Sequence, residues 1–109
     1  MIYEHRTYII PPGKMDAILA RFRDDTFLLF EKHGIQVVGF WTTDIGERSN
    51  GELIYICAYD DLSARQEAWD AFRSDPEWIA VRKRTEANGP IVAQVDVKIL
   101  AATDFSPLR

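Results

Sequence analysis

Ile2 to Ile10 is dense in β-branched and aromatic residues and stops at Pro11-Pro12-Gly13, a turn that neither a helix nor a central strand tolerates, which predicts a first strand. The period then changes. From Lys14 to His33 the apolar residues Met15, Ile18, Leu19, Phe22, Leu29 and Phe30 recur at helical spacing, and Gly34 stands where a left-handed helix terminator belongs. Gln36 to Asp44 returns to strand character, and Gly46 to Gly51 reads as a polar hairpin loop. Its partner strand, Glu52 to Tyr59, places Leu53, Tyr55, Cys57 and Tyr59 on one face and Ile54, Ile56 and Ala58 on the other.

Ser63 with Gln66 three residues later reads as a capping box, and Ala64, Ala68, Trp69 and Phe72 continue it as one helical stripe. Asp75-Pro76 restarts the helix with an acidic N-cap and proline at its first position, running toward Asn88-Gly89-Pro90. Asp60-Asp61, just before the second helix, reads as a turn and cap rather than a catalytic carboxylate pair. Ile91 to Leu100 alternates Val95, Val97 and Ile99 with Gln94, Asp96 and Lys98, the period-two pattern of a strand with one wetter face. The tail from Phe105 to Arg109 has no period, and no repeat or linker divides residues 1–109, which predicts one domain.

The order β-α-β-β-α-β, with the second helix broken, is the ferredoxin-like split βαβ plan of the α+β class. It builds a four-stranded antiparallel sheet with helices on one face. The third strand is apolar or aromatic on both sides, whereas a half-solvated antiparallel sheet would alternate. That predicts a second subunit on the open face, hence a homodimer. Helix one carries Phe27 and Leu28 off its core stripe, so the C-terminal tail or the partner is expected to cover at least one of them.

Charge narrows the partners. Thirteen Lys+Arg against 17 Asp+Glu give a net charge of −4, which argues against nucleic acid, since that binding rests on a basic face. The basic run Arg82-Lys83-Arg84 fans around a helix and reads as a solvated face without function. The longest apolar stretch, Thr26 to Phe30, is far short of the roughly 18 residues of a membrane span. Met1 leads straight into a strand with no signal-peptide pattern, which predicts a cytoplasmic location. The single Cys57 lies in an apolar strand and reads as an inert core thiol. His33 before Gly34 reads as a cation favoured at a helix C-terminus. His5 and His33 lack ligand spacing, so no metal and no cofactor is expected.

Four strings carry a family resemblance: Ile2-Tyr3-Glu4-His5-Arg6-Thr7-Tyr8 with Pro12-Gly13-Lys14, Val38 to Gly46, Ala58-Tyr59-Asp60-Asp61-Leu62, and Asp75-Pro76-Glu77-Trp78. In this order and spacing they resemble the NIPSNAP family, across nearly the whole chain. The resemblance implies a dimeric α/β-barrel fold, shared with cofactor-free monooxygenases, haem-degrading enzymes and ligand-binding stress proteins, in a family of unsettled activity. Some members are linked to mitochondria and to vesicle or mitophagy roles. His5 stands where the family commonly has leucine, and Tyr55 and Cys57 stand where many members carry His and Trp.

Function therefore falls on an aromatic and polar cluster. Strand parity separates Tyr3, His5 and Thr7 from Glu4, Arg6 and Tyr8. The leucine resemblance turns His5 toward the helices, so Tyr3, His5, Trp41, Tyr55 and Trp69 are expected to line a site for a small apolar ligand. There a neutral His5 either fills the leucine's volume or accepts a substrate proton. Glu4, Arg6 and Tyr8 are then expected at the dimer interface. A small-ligand-binding or scaffold protein is the leading expectation, with no catalytic residue assigned. The alternative is a cofactor-independent oxygenase acting on a small apolar or aromatic substrate, which needs a cavity of roughly 300 Å³ or more and a proton acceptor.

Overall fold

The computed structural model describes every residue from Met1 to Arg109. β1 (Ile2–Ile9) ends at the proline turn, and the next helix runs as α1 (Met15–Arg21), a π-helical turn (Phe22–Thr26) and α2 (Phe27–Lys32). The wide turn has a visible cause. Ile18, Phe22, Thr26 and Phe30 are all buried, and in a regular helix three successive steps of four residues would drift roughly 120° around the axis. Widening one turn cancels that drift and keeps all four against the sheet. Gly34, at φ +73°, ends the helix in the left-handed conformation that glycine adopts without strain.

β2 (Gln36–Thr42) and β3 (Glu52–Tyr59) form the hairpin. A bulge between Val37 and Gly39 shifts the register. The Trp41 ring lies over Gly39, so a Cβ there would stand 2.7 Å from it and displace the ring. α3 (Leu62–Ser74) and α4 (Pro76–Thr85) follow, and β4 (Gln94–Ala101) closes an antiparallel sheet in the order β2-β3-β1-β4. This is the expected ferredoxin-like α+β plan. The last strand starts three residues later than its pattern suggested, and Ile91 is instead a buried loop residue. Asp61, not Ser63, caps α3, accepting from the Ala64 amide at 2.8 Å. No helix is long and apolar enough to cross a membrane.

The core lies between sheet and helices. Tyr8, Leu53, Tyr55, Cys57 and Tyr59 meet Ile18, Phe22, Phe30, Trp69 and Phe72. Cys57 is fully buried there, and burial pushes its thiol up to about 12, so it stays protonated. Phe27 touches only the rim, its ring 5.7 Å from Phe40. Leu28 is 59% exposed, so nothing within this chain, the tail included, covers it.

The assignment of sheet faces is reversed from expectation. Glu4, Arg6 and Tyr8 point toward the helices, where Glu4 is 0% exposed and Arg6 and Tyr8 are buried. They therefore do not lie on the open face expected to form the dimer interface. Tyr3 and His5 occupy that face, with Thr7, Ile54, Ile56, Ala58 and Trp41 in register beside them. The inner face tolerates a carboxylate and a guanidinium because α3 supplies partners for both, as described below.

Asp75 joins two helices. Its Oδ1 accepts from the Glu77 amide at 2.8 Å, capping α4, while Oδ2 lies 2.8 Å from Lys32 Nζ and 2.7 Å from His33 Nε2. The Lys32 hydrogen bond, then that of His33, hold its carboxyl well below the usual range. Stability from such a depressed acid is present at neutral pH and is lost as pH falls through the folded value. Asp75→Ala should lower the thermal midpoint at pH 7 by several degrees, and Asp75→Asn, which keeps a capping oxygen, by less. Thermal scans giving all three proteins the same midpoint would refute the linkage.

Candidate functional site

A cavity of about 360 Å³ opens between the inner face of β1 and β4 and the helices. Its wall is built in steps. Arg6 leaves β1 on the inner face and lays its guanidinium 4.4 Å from the Trp69 ring centroid, a stacked cation–π contact. Its Nε donates to Tyr55 Oη at 2.8 Å, and Nη1 donates to Glu4 Oε2 at 3.2 Å. Tyr55 Oη and Tyr8 Oη share a further hydrogen bond of 2.8 Å. Burial works against the Arg6 charge, but the Tyr55, Tyr8 and Glu4 oxygens outweigh it and hold its pKa above the ordinary value. Burial pushes the Tyr55 hydroxyl well up, so it acts as a neutral phenol.

Behind Arg6, Glu4 is the hub. Oε1 accepts from Tyr59 Oη at 2.7 Å and from Trp69 Nε1 at 3.2 Å, and Oε2 accepts from Arg65 Nε at 2.9 Å. Burial raises its pKa, but the Arg65 and Tyr59 hydrogen bonds and the neighbouring Arg6 charge bring it below the ordinary value. A buried carboxylate with this many donors is stable as the anion.

On the opposite wall stand Arg21 and Thr26, from the two ends of the π turn. Arg21 Nη1 donates to Thr85 Oγ1 and Glu86 Oε2, both at 3.3 Å, and its Cζ lies 5.1 Å from the Trp78 ring centroid. Burial lowers its pKa, with Glu86 opposing. Arg21 Nε and Thr26 Oγ1 are buried without any hydrogen-bond partner, and no other buried side-chain nitrogen or oxygen in the chain is in that state. Such atoms are rare in folded proteins and ask for a cause.

Of the residues expected to bind ligand, Trp69 lines the cavity, and Tyr55 lies beneath it in the core, tied to Arg6 and Tyr8. Tyr3, His5 and Trp41 are on the other side of the sheet and do not reach it. Arg6 and Tyr8, expected at the dimer interface, are lining residues instead. Arg21, Thr26 and Arg82 were missed. The signal for Thr26 was its place in the Ile18, Phe22, Thr26, Phe30 series, where a polar residue interrupts an apolar stripe. Arg82, read as part of a solvated run, borders the cavity and donates to Glu86 at 3.1 Å.

Comparison with known proteins gives one consistent answer. The NIPSNAP family profile matches residues 3–107. The human protein NipSnap homolog 3A is 33% identical over 78 residues, covering 72% of this chain but only 30% of that protein. The chain thus spans about a third of the length of that curated relative. A NIPSNAP family protein from Agrobacterium tumefaciens is 30% identical with a TM-score of 0.87, covering 99% of this chain and 98% of that one. A cofactor-independent oxygenase from Streptomyces nogalater shares the fold alone, with a TM-score of 0.61 at 11% identity over 97% of this chain and 96% of that one.

Proposed function

The chain belongs to the NIPSNAP family, and from that premise we propose that it is a homodimeric small-ligand-binding protein whose ligand enters the cavity between sheet and helices. One observation carries the reading. The cavity is of ligand size, and its lining sets the flat apolar walls of Phe22, Phe30, Trp69 and Trp78 beside the guanidinium groups of Arg6, Arg21 and Arg82, the mixture of apolar surface and a few polar groups that holds a small molecule. The homodimer reading rests on the open sheet face, where Ile54 and Ile56 are half-buried and Trp41 is 50% exposed.

A cofactor-independent oxygenase would also need a group that takes a substrate proton. The one carboxylate in the lining, Glu86, is engaged by Arg21 and Arg82, and neither histidine faces the cavity. Binding requires no such group, and so it is the stronger reading.

Native mass spectrometry of the purified protein, with and without denaturation, tests this. A bound small molecule released on unfolding is the expected result. No retained mass, together with no thermal shift from any member of a panel of small acids and alcohols, would overturn it.

A further inference from the structure

β4 is an edge strand whose eight residues are all exposed. On the helix side, Val95, Val97 and Ile99 stand opposite Tyr8, Arg6 and Glu4 of β1. The helices bury those β1 side chains but leave the three aliphatic ones 41%, 42% and 43% exposed. A long edge with an apolar stripe is a template for another strand, and proteins that keep such an edge free break it with a proline, a bulge or a short strand. β4 has none of these, and its ladder to β1 is regular from end to end. Charges also blunt an edge, but here Asp96 and Lys98 come in a particular order.

The backbone decides which groups are free. The Ile9 carbonyl accepts from the Ala93 amide at 2.8 Å, while the Ile10 amide donates to the Gly51 carbonyl at 2.9 Å. Odd-numbered residues of β1 therefore bond toward β4 and even-numbered ones toward β3. Asp96 and Lys98, the partners of Thr7 and His5, turn their amides and carbonyls inward. Val95, Val97 and Ile99 turn theirs outward, beyond the last strand of the sheet.

Those outward groups match a second copy of themselves. Two antiparallel β4 strands related by a twofold axis through Val97 place Val97 on Val97 and Val95 on Ile99 as hydrogen-bonded pairs. The positions between are non-hydrogen-bonded, where facing side chains come closest, and there each Asp96 meets the partner's Lys98. Asp96 Oδ1 accepts from Gln94 Nε2 at 2.7 Å, which leaves Oδ2 for the lysine. Moving the axis by one residue either way sets Asp96 on Asp96 or Lys98 on Lys98, and like charges directly opposite are destabilising.

We infer that β4 is a self-pairing edge, through which two copies of the chain join their sheets in the register centred on Val97. The axis of this contact runs perpendicular to the sheet and that of a face-to-face dimer parallel to it, so the inference is independent of the dimer and ligand readings. The contact also adjoins the cavity, since Val95 belongs to its lining and pairs with the partner's Ile99. One strand from each copy is well below a standard interface, and a dissociation constant on the order of 0.1–1 mM is expected.

The test records amide NMR spectra of the full chain from about 20 µM to about 1 mM. The Val95, Val97 and Ile99 amides should shift with concentration and exchange more slowly with solvent. Asp96→Lys and Lys98→Asp should each weaken the association roughly tenfold, because each turns both cross-strand pairs into like charges. The double reversal, Asp96→Lys with Lys98→Asp, should return the wild-type constant. Both positions are exposed, so signals away from β4 should stay those of the wild type. Ile56→Lys, on the open face, should leave the β4 shifts in place. Val95, Val97 and Ile99 signals that do not change with concentration would overturn self-pairing and leave the edge to a strand of another protein or to water. A double reversal as weak as the single variants would overturn the Val97 register. Shifts that vanish in Ile56→Lys would belong to the sheet face, and the edge contact would fall.

Discussion

Replacing Glu4 with alanine should remove about 3–5 kcal/mol of unfolding free energy, a large share of the roughly 5–15 kcal/mol that holds a domain of this size together. The carboxylate is fully buried and is shared by Arg6, Arg65, Tyr59 and Trp69. Taking it away strands the Arg6 guanidinium, itself buried, with no opposite charge beside it and only the neutral Tyr55 and Tyr8 hydroxyls and the Trp69 ring for company. The cost arises mainly from that uncompensated charge, not from the intrinsic worth of the ion pair. A double variant, Glu4→Leu with Arg6→Leu, should therefore lose less than Glu4→Ala alone, because Arg65 is partly exposed and can turn to water. Urea unfolding curves of the three proteins decide the matter. A loss below about 1 kcal/mol for Glu4→Ala would mean that water already shares the network.

The same carboxylate sets an acid limit. Its folded pKa lies below the ordinary value of 4.5, so the unfolded chain takes up the proton first as pH falls. The stability it contributes is complete above the unfolded pKa, and it drains away as pH drops through the lower folded one. Unfolding free energy should thus fall below about pH 4, and this part of the fall should be missing from the double variant.

The reversal of the sheet faces marks where legibility in the sequence ended. Local period was enough for the proline stop after β1, the helix from Lys14 to His33, the hairpin and the Asp75-Pro76 restart, because each depends on neighbours a few residues away. Parity likewise separated Tyr3, His5 and Thr7 from Glu4, Arg6 and Tyr8 correctly. A period of two carries no sign, however, and both sets contain polar and aromatic members. The sign was settled by residues distant in the chain: Arg65 and Trp69, 61 and 65 positions after Glu4, make the polar set the one that can be buried. The π turn was equally invisible. Nothing in Phe22-Arg23-Asp24-Asp25-Thr26 favours a wide turn by propensity, and only the demand of Ile18, Phe22 and Phe30 to pack on one sheet produces it. With it went the placing of Arg21 and Thr26 in the lining of the cavity.

In the homodimer proposed above, of twice the 12.5 kDa chain mass, Ile56→Lys should release the monomer at micromolar concentration. Across the open face, Gly39, Ile56, His5 and Lys98 form one row in register. Ile56 stands in it on an inner strand, half-buried within the chain and well away from the sheet edges. In a twofold dimer built on this face the substitution enters the interface twice. Each copy sets an ammonium group beside His5 and Lys98 and against the apolar surface of Ile54 and Trp41. Desolvating an unpaired charge costs several kcal/mol, so the dimer dissociation constant should rise by roughly a hundredfold or more. The helix-side core does not touch Ile56, and the monomer should remain folded with the far-ultraviolet dichroism of the wild type. Ile79→Lys is the control, since Ile79 is an exposed apolar residue of α4 on the other side of the molecule and should leave the dimer intact. Sedimentation velocity reads all three proteins directly. A wild type that sediments as a monomer at micromolar concentration would overturn the homodimer, and an Ile56→Lys dimer as stable as the wild type would move the partner off this face and leave its half-buried isoleucines without a cover.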